Sequence, residues 1–405
     1  MKTGEPIDGK RVMQRILKFA KAAYLSVFTT VAYRAMRRKQ DDPLGARSPS
    51  SIKIVCRYGL KNGLANGAVY NGLALQTLGY EVEQPDVTSV MRSPLKRIFC
   101  KRGGLFVFHC AAPQLLLLAW PLRRLIRSGK LIGYFAWELA EPPGDWPKYE
   151  DLWDEIWTPS RFSAQSLSKL YACPIRVVPH VLLKRGSPRG WRKGEEPLTF
   201  LTMADARSSL ARKNPRAVVA AFRSAFPSER DVSLVVKLQA NQSSKEVHTL
   251  LAEIGGDARI RVIQETMTRT EVDRLFSSAH AYVSLHRAEG FGLPLLEARL
   301  FGLATLATAW SGNLDFMSDE DSVLIPCELT TMRDEGGVYG EVTWAEPDVG
   351  AAAVAMRRFY DDPVYLAKVA KAGWEASSPE RQLARLEAAL RTPDVTSLML
   401  NRCDI

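Results

Sequence analysis

Long hydrophobic runs are absent from this 405-residue sequence: no stretch of about 20 apolar residues occurs, so no segment reads as a bilayer-spanning helix. Paired cysteines are absent too. The six cysteines, Cys56, Cys100, Cys110, Cys173, Cys327 and Cys403, lie far apart with no C-x-x-C spacing and no secretory signal ahead of them, which leads us to expect free thiols in a reducing, cytoplasmic compartment. Compositional bias is missing: 46% hydrophobic and 24% charged residues exclude collagenous and disordered classes. No G-K-[ST] ending marks a Walker loop, and no solenoid-type repeat is found. What remains is an ordinary globular composition on a chain long enough for two well-packed domains.

A net charge of +11 favours anionic partners such as nucleic acid, anionic lipid or phosphorylated substrates, without choosing among them. Part of that charge lies in residues 10 to 38, where Arg11, Arg15, Lys18 and Lys21 recur at spacings of three and four opposite Ile16, Leu17, Phe19 and Ala20. This basic amphipathic helix suits an interfacial position on an anionic membrane, and equally suits packing on its own protein with a solvated basic face. The apolar-then-basic run at 114 to 130, QLLLLAWPLRRLIRSGK, is a second candidate membrane contact.

Breaker residues in QDDPLGARSPS end the N-terminal extension near residue 49. Short apolar strands then alternate with helical patterns: IKIVC, LFVFH, LIGYFAWE, EIWTPS and IRVVPH before the polar stretch KRGSPRGWRKGEEP at 184 to 197. After it come LTFLTMA, SLVVKLQ, IRVIQ, AYVSLH, ATLAT and VLIP, again with helices between. Such alternation predicts an α/β chain of two doubly wound, parallel-sheet lobes. The expected division is an extension at 1–49, a first lobe at 50–190, a second at 191–375, and a helix and tail at 376–405 that can cross back to the first lobe.

Ligands of open parallel sheets bind beyond the carboxyl ends of the strands, so the residues after each strand are the candidates for chemistry. After AYVSLH stand Glu289, Gly290, Phe291, Gly292 and Leu293, then Pro294 and Glu297. A helix reached through glycines offers unpaired N–H groups and a positive dipole end to a diphosphate. A carboxylate repels a diphosphate, so the two glutamates should face sugar hydroxyls; Glu297 can also simply stabilise its helix dipole. The turn after LTFLTMA carries Arg207, Arg212 and Lys213, cations able to neutralise a leaving diphosphate or to form a solvated basic loop. In the first lobe, Gly63 and Gly67 follow the first strand in an irregular glycine-rich loop, and His109 ends the strand LFVFH. The tryptophans of FAWELAEPPGDW and DLWDEIWTPSRF are read as packing residues. Asp319-Glu320-Asp321 is the only D-x-D, and its SDEDS context reads as a solvated turn, so no metal site is expected.

Taken together, YFAWELAEPPGDW, DEIWTPSRF, VVPH, RKNPRAVVAAFRSAF, YVSLHRAEGFGLPLLEA, TAWSGNLDFM and TWAEPD resemble the retaining GT-B glycosyltransferases of family 4, over about residues 52 to 390. The resemblance implies a nucleotide-sugar donor in an interlobe cleft, no cofactor and no metal. It puts Glu297 on the ribose, and Glu289 with the Gly290, Phe291, Gly292 and Leu293 backbone on the sugar and phosphates. Lys213 with Arg212 or Arg207 would hold the diphosphate, and His109 would lie near the transferred sugar. The expected acceptor is a glycan or lipid-linked sugar in cell-surface polysaccharide synthesis, with GDP-mannose or a UDP-hexose as donor. The competing readings are a catalytically idle nucleotide-sugar-binding scaffold and a nucleic-acid binder; the latter has no binding motif behind it.

Overall fold

In the computed structural model the described residues are 25–36, 51–59, 63–92, 104–126, 129–149, 152–239, 245–334 and 338–391, with the side chains of Met91 and Arg207 outside that set. The chain divides into two compact units. One comprises the described parts of 1–68, 80–134 and 145–156; the other comprises those of 69–79, 135–144 and 157–405.

The elements of the N-terminal half are α1 (residues 25–36), β1 (Ile52–Val55), α2 (Gly63–Thr77), β2 (Val82–Glu83), α3 (Val87–Arg92), β3 (Gly104–His109), α4 (Leu115–Ala119), α5 (Arg123–Ile126), β4 (Gly129–Tyr134), β5 (Glu155–Thr158), α6 (Arg161–Ser168) and β6 (Ile175–Val177). Their strands form a six-stranded sheet in the order β2-β1-β3-β4-β5-β6. The pairs β1–β2, β1–β3 and β3–β4 are parallel. All four residues of β1 and five of six in β3 are buried, as expected for strands covered on both faces.

Helix α1 packs on the first unit through one face. Ala32 is fully buried, Phe28 meets Trp120 edge-on at 5.7 Å, and Tyr33 lies 5.1 Å from Tyr149. Phe28 and Ala32 are four apart, with Tyr33 beside Ala32, so the three share one helix face and this part of the N-terminal helix has that face against its own protein. Arg11, Arg15, Lys18 and Lys21 lie outside the described residues. In the run at 114 to 130, Leu115, Leu116, Leu118, Leu122 and Ile126 are buried in the unit's core, so these five residues offer no membrane face. Spacing alone could not separate the two cases, because a core helix and an interfacial one share the same periodicity.

The C-terminal half runs β7 (Leu198–Asp205), α7 (Leu210–Lys213), α8 (Pro215–Ala225), β8 (Val232–Gln239), α9 (Lys245–Ile254), β9 (Ile260–Ile263), α10 (Arg269–Ser277), β10 (Ala281–Ser284), α11 (Leu293–Leu300), β11 (Ala304–Thr308), β12 (Val323–Ile325), β13 (Cys327–Arg333), β14 (Glu341–Pro347), α12 (Val349–Asp361), α13 (Pro363–Ala376) and α14 (Pro379–Arg391). Six strands form a parallel sheet ordered β12-β11-β10-β7-β8-β9. Alternate side chains of β7 and β8 enter opposite cores. Phe200, Leu234 and Val236 join Phe222, Phe226, Met356 and Phe359, whereas Leu201 and Val235 join Leu295, Leu296 and Phe301. Helices thus cover both faces, and the sheet is doubly wound as expected.

Caps fix where the helices begin. Asn214 at φ 50° caps α8 ahead of Pro215, Thr268 and Glu271 form a capping box on α10, and Asp348 and Asp362 cap α12 and α13. Helix α14 joins the segment around β6: Gln382 accepts from the Leu182 N–H at 2.9 Å, and Arg176 donates to the Ala389 carbonyl at 2.9 Å. The antiparallel hairpin β13–β14 was not expected from the sequence and stands apart from the six-stranded sheet.

Candidate active site

Strand order reverses between β7 and β10, so the turns leaving their carboxyl ends, residues 206–214 and 285–292, border the sheet's natural ligand crevice. Hydrogen bonds tie these turns together. The Arg287 N–H donates to the Arg212 carbonyl at 2.8 Å, the Arg287 guanidinium to the Ala211 carbonyl at 2.6 Å, and the Arg212 guanidinium to the Ala288 carbonyl at 2.7 Å. Each turn therefore templates the other.

Glycine is required where the second turn is crowded. A Cβ on Gly312 would lie 2.3 Å from the Gly290 oxygen, and one on Gly290 would lie 3.0 Å from the Trp137 oxygen. The Gly290 carbonyl accepts from Ser160 Oγ at 2.6 Å and Ser163 Oγ at 3.2 Å. The Glu289 N–H donates to Ser311 Oγ at 2.9 Å, while its carbonyl accepts from the Gly312 N–H at 2.9 Å. Gly292, at φ 94°, then turns the chain into α11, with Pro294 in its first turn.

Lys213, Arg212 and Glu289 meet here. Lys213 Nζ is in direct ion contact with the Glu289 carboxylate, and Arg212 lies 3.5 Å from it. Arg212 is almost fully enclosed, 3.5 Å from Glu138 and donating also to the Ser208 carbonyl at 3.3 Å. Burial pushes the Glu289 carboxyl up, but Lys213 and then Arg212 outweigh it and hold the group down at about 2. Burial moves the Lys213 ammonium the other way, below its usual range, against the pull of Glu289. Two cations face two carboxylates, so the cluster is close to balanced in charge, and its attraction for an anion must come from aimed donors and the α11 N-terminus.

Glu297, on α11, belongs to a separate buried set. Its carboxylate accepts from Tyr70 Oη at 3.0 Å and pairs with the Arg269 guanidinium, which also lies 2.5 Å from Asp273. Burial raises its pKa, with Arg269 opposing the rise. Nearby His180 donates from Nδ1 to Asn71 Oδ1 at 3.0 Å, meets the Phe291 ring edge-on at 5.3 Å, and is driven down to about 3 by burial.

The other expected site residues lie elsewhere. Arg207 falls in the turn at Ala206–Ser208, but its side chain is outside the described residues, so of the two arginines only Arg212 is seen beside Lys213. His109 is buried at the carboxyl end of β3 in the first unit, stacked on Tyr134 with centroids 4.0 Å apart. Gly63 opens α2, whereas Gly67 lies inside that helix and not in a loop, a difference from the expected glycine-rich turn. Asp321 of the D-x-D pairs with Arg299 at 2.9 Å. Among the described residues, no group of three His, Cys, Asp or Glu side chains could hold a metal. Tyr70, Glu138, Ser160 and Arg269 were missed by sequence reasoning, and Arg269 carried no signal beyond its place behind the Thr268 cap.

Residues 189–330 match the family model described as glycosyl transferases group 1. No curated protein matches the sequence. Among solved structures, a sucrose-phosphate synthase from Thermosynechococcus elongatus is 14% identical, with 84% of this chain and 98% of that one covered and a TM-score of 0.59. Anabaena HepE, solved with UDP and glucose, is 11% identical over 84% of this chain and 99% of its own, with a TM-score of 0.58. The pneumococcal O-GlcNAc transferase GtfA, solved with UDP and GlcNAc, is 16% identical over 75% of this chain, with a TM-score of 0.51; this chain spans only 60% of its length. At these identities the likeness is one of fold.

Proposed function

Because residues 189–330 match the glycosyl transferases group 1 model and the chain has the GT-B fold, we propose that it is a glycosyltransferase that moves a hexose from a nucleoside diphosphate sugar to a glycan or lipid-linked acceptor with retention of configuration. The observation that carries this reading is the meeting of Lys213 with Glu289 at the turns where strand order reverses, next to the glycine-opened N-terminus of α11. GDP-mannose or a UDP-hexose is the proposed donor, and cell-surface polysaccharide synthesis the proposed setting.

In this reading the donor diphosphate meets the first N–H groups of α11 and the Lys213 ammonium, while Glu297 accepts from the ribose hydroxyls. Glu289, kept ionised by its cations, accepts from hydroxyls of the sugar. The bond between the anomeric carbon and the diphosphate oxygen breaks as one forms to the acceptor oxygen on the same face, and the acceptor proton passes to the leaving phosphate. Lys213 and Arg212 supply the positive charge near the leaving group, so no metal is required by the proposal. Thermal stabilisation by a panel of GDP- and UDP-sugars tests it, since a ligand at 100 times its dissociation constant adds about 2.7 kcal/mol. Stabilisation by none of them, with no donor turnover, would remove the reading.

Among the described residues no helix is long and apolar enough to cross a membrane. Peripheral attachment to an anionic cytoplasmic membrane face is proposed for the residues before 25, continued by the outward Val27 and Val31 of α1. Removing residues 1–24 should lower co-sedimentation with phosphatidylserine vesicles; unchanged sedimentation would refute this.

A further inference from the structure

The hairpin β13–β14 supplies none of the donor contacts proposed above, yet it reaches the turn that carries Lys213. Ser209, which begins α7, has φ 75° and ψ 108°, a backbone conformation that residues with side chains rarely adopt. Its hydroxyl oxygen accepts from the Arg212 N–H at 3.1 Å and donates to Asp334 Oδ1 at 3.2 Å. Asp334, at the end of β13, is 2% exposed. Its second oxygen accepts from the N–H groups of Val338 and Tyr339 at 2.8 and 3.0 Å. One buried carboxylate thus closes the hairpin's loop and holds Ser209.

A second link runs through Tyr339, whose hydroxyl is electrostatically coupled to the Arg212 guanidinium and whose ring meets Trp137 edge-on at 5.8 Å. Apolar packing anchors the hairpin beneath them: Val342 and Trp344 are buried with Leu139 and Ala288. Glu346 takes the Arg287 guanidinium at 2.6 and 3.0 Å, and the Ala345 N–H donates to the Arg287 carbonyl at 3.0 Å. The hairpin therefore grips both turns of the candidate site, at Ser209–Arg212 and at Arg287–Ala288.

We infer that Asp334 is a positioning residue for diphosphate binding, and that the hairpin is a clip holding the strained Ser209 turn so that Lys213 faces the phosphates. The inference rests on the proposed role of Lys213 as a phosphate ligand. A clip of this kind affects the phosphates and leaves the nucleoside alone, because Asp334 acts on the Lys213 turn and not on Glu297. A residue serving only general stability would not discriminate between them.

The test is calorimetric titration of wild type, Asp334→Ala, Ser209→Gly and the double variant with UDP, GDP, uridine and guanosine. Wild type should bind one diphosphate more tightly than its nucleoside. Asp334→Ala should cut that ratio about tenfold, the loss of one hydrogen bond in a charged network, with nucleoside affinity within about twofold. Ser209→Gly accepts the positive φ without help and already cuts the Ser209 link, leaving only the Tyr339 loop for Asp334 to act through, so adding Asp334→Ala to it should change the ratio by clearly less than Asp334→Ala does in the wild type. If Asp334→Ala does not fold, Tyr339→Phe, which removes only the hydroxyl coupled to Arg212, should lower the ratio about threefold. An unchanged ratio, or equal weakening of nucleoside and diphosphate, would overturn the positioning role. Wild type binding neither diphosphate would instead overturn the donor reading beneath it.

Discussion

Replacing Lys213 with alanine removes the nearer of the two cations that hold Glu289 ionised, Arg212 remaining at 3.5 Å. Against the upward push of burial, Lys213 and Arg212 hold Glu289 down at about 2, compared with an ordinary 4.5, which corresponds to a few kcal/mol of stability, on the order of 3. Because its folded pKa is depressed, that contribution is complete above pH 4.5 and lost as pH falls towards 2. It is a ceiling, since burial also lowers the Lys213 pKa and returns part of the gain. Breaking a buried pair costs about 3 to 5 kcal/mol when the surviving charge is left alone, so with Arg212 still present a loss of about 2 to 3 kcal/mol is expected at pH 7. For a domain of this size that lowers the melting temperature by about 4 to 12 °C. Without Lys213 the upward push of burial dominates, Glu289 takes a proton at higher pH, and the deficit narrows on acidification. Calorimetric melts of both proteins at pH 7 and pH 4 measure this. Equal melting at pH 7, or a deficit that widens at pH 4, would refute the reasoning.

Three further outcomes are expected. His180 stays neutral in the fold down to about 3 while the unfolded chain protonates it near 6.5, so between those values it costs about 1.4 kcal/mol of stability per pH unit as pH falls; denaturant midpoints of His180→Gln should show a correspondingly shallower pH slope, and parallel slopes would contradict this. Gly312→Ala forces a Cβ to within 2.3 Å of the Gly290 oxygen and should destabilise on the order of 3 kcal/mol, read by the same denaturant titration; a loss below 1 kcal/mol would show that the turn can give way. Transfer rates in EDTA should stay within about twofold of those without it, because Lys213 and Arg212 are proposed to meet the leaving charge. Loss of activity restored by manganese would end that assignment.

The two series of strands and helices were legible because strands buried on both faces appear as short apolar runs, as in β1, β3 and β8, and because Asn214-Pro215 and Thr268 mark helix starts by local chemistry. The hairpin was not legible: β13 has no fully buried residue, so CELTTMR carries no strong apolar period. Lys213, Arg212 and Glu289 were visible as residues that follow the carboxyl ends of β7 and β10, strands that are three apart in the chain but neighbours where a doubly wound sheet reverses its order. The partners of Glu297 were hidden, since Arg269 lies 28 residues away and Tyr70 227. Pairing at such separations leaves no local pattern. The leucines at 115 to 122 illustrate a different limit, for their periodicity fits a core and a membrane surface alike.

Initial rates of nucleoside diphosphate release, measured for wild type, Lys213→Ala and Glu297→Gln with the nucleotide sugar that stabilises the protein, test the central claim most directly. Ribose does not change during transfer, so Glu297→Gln should act chiefly on KM, by about 1.5 to 3 kcal/mol or roughly tenfold to a hundredfold. Phosphate gains charge as the glycosidic bond breaks, so Lys213→Ala should lower kcat by about 100-fold to 1,000-fold at saturating donor. A Lys213→Ala enzyme with the wild-type kcat would contradict the account.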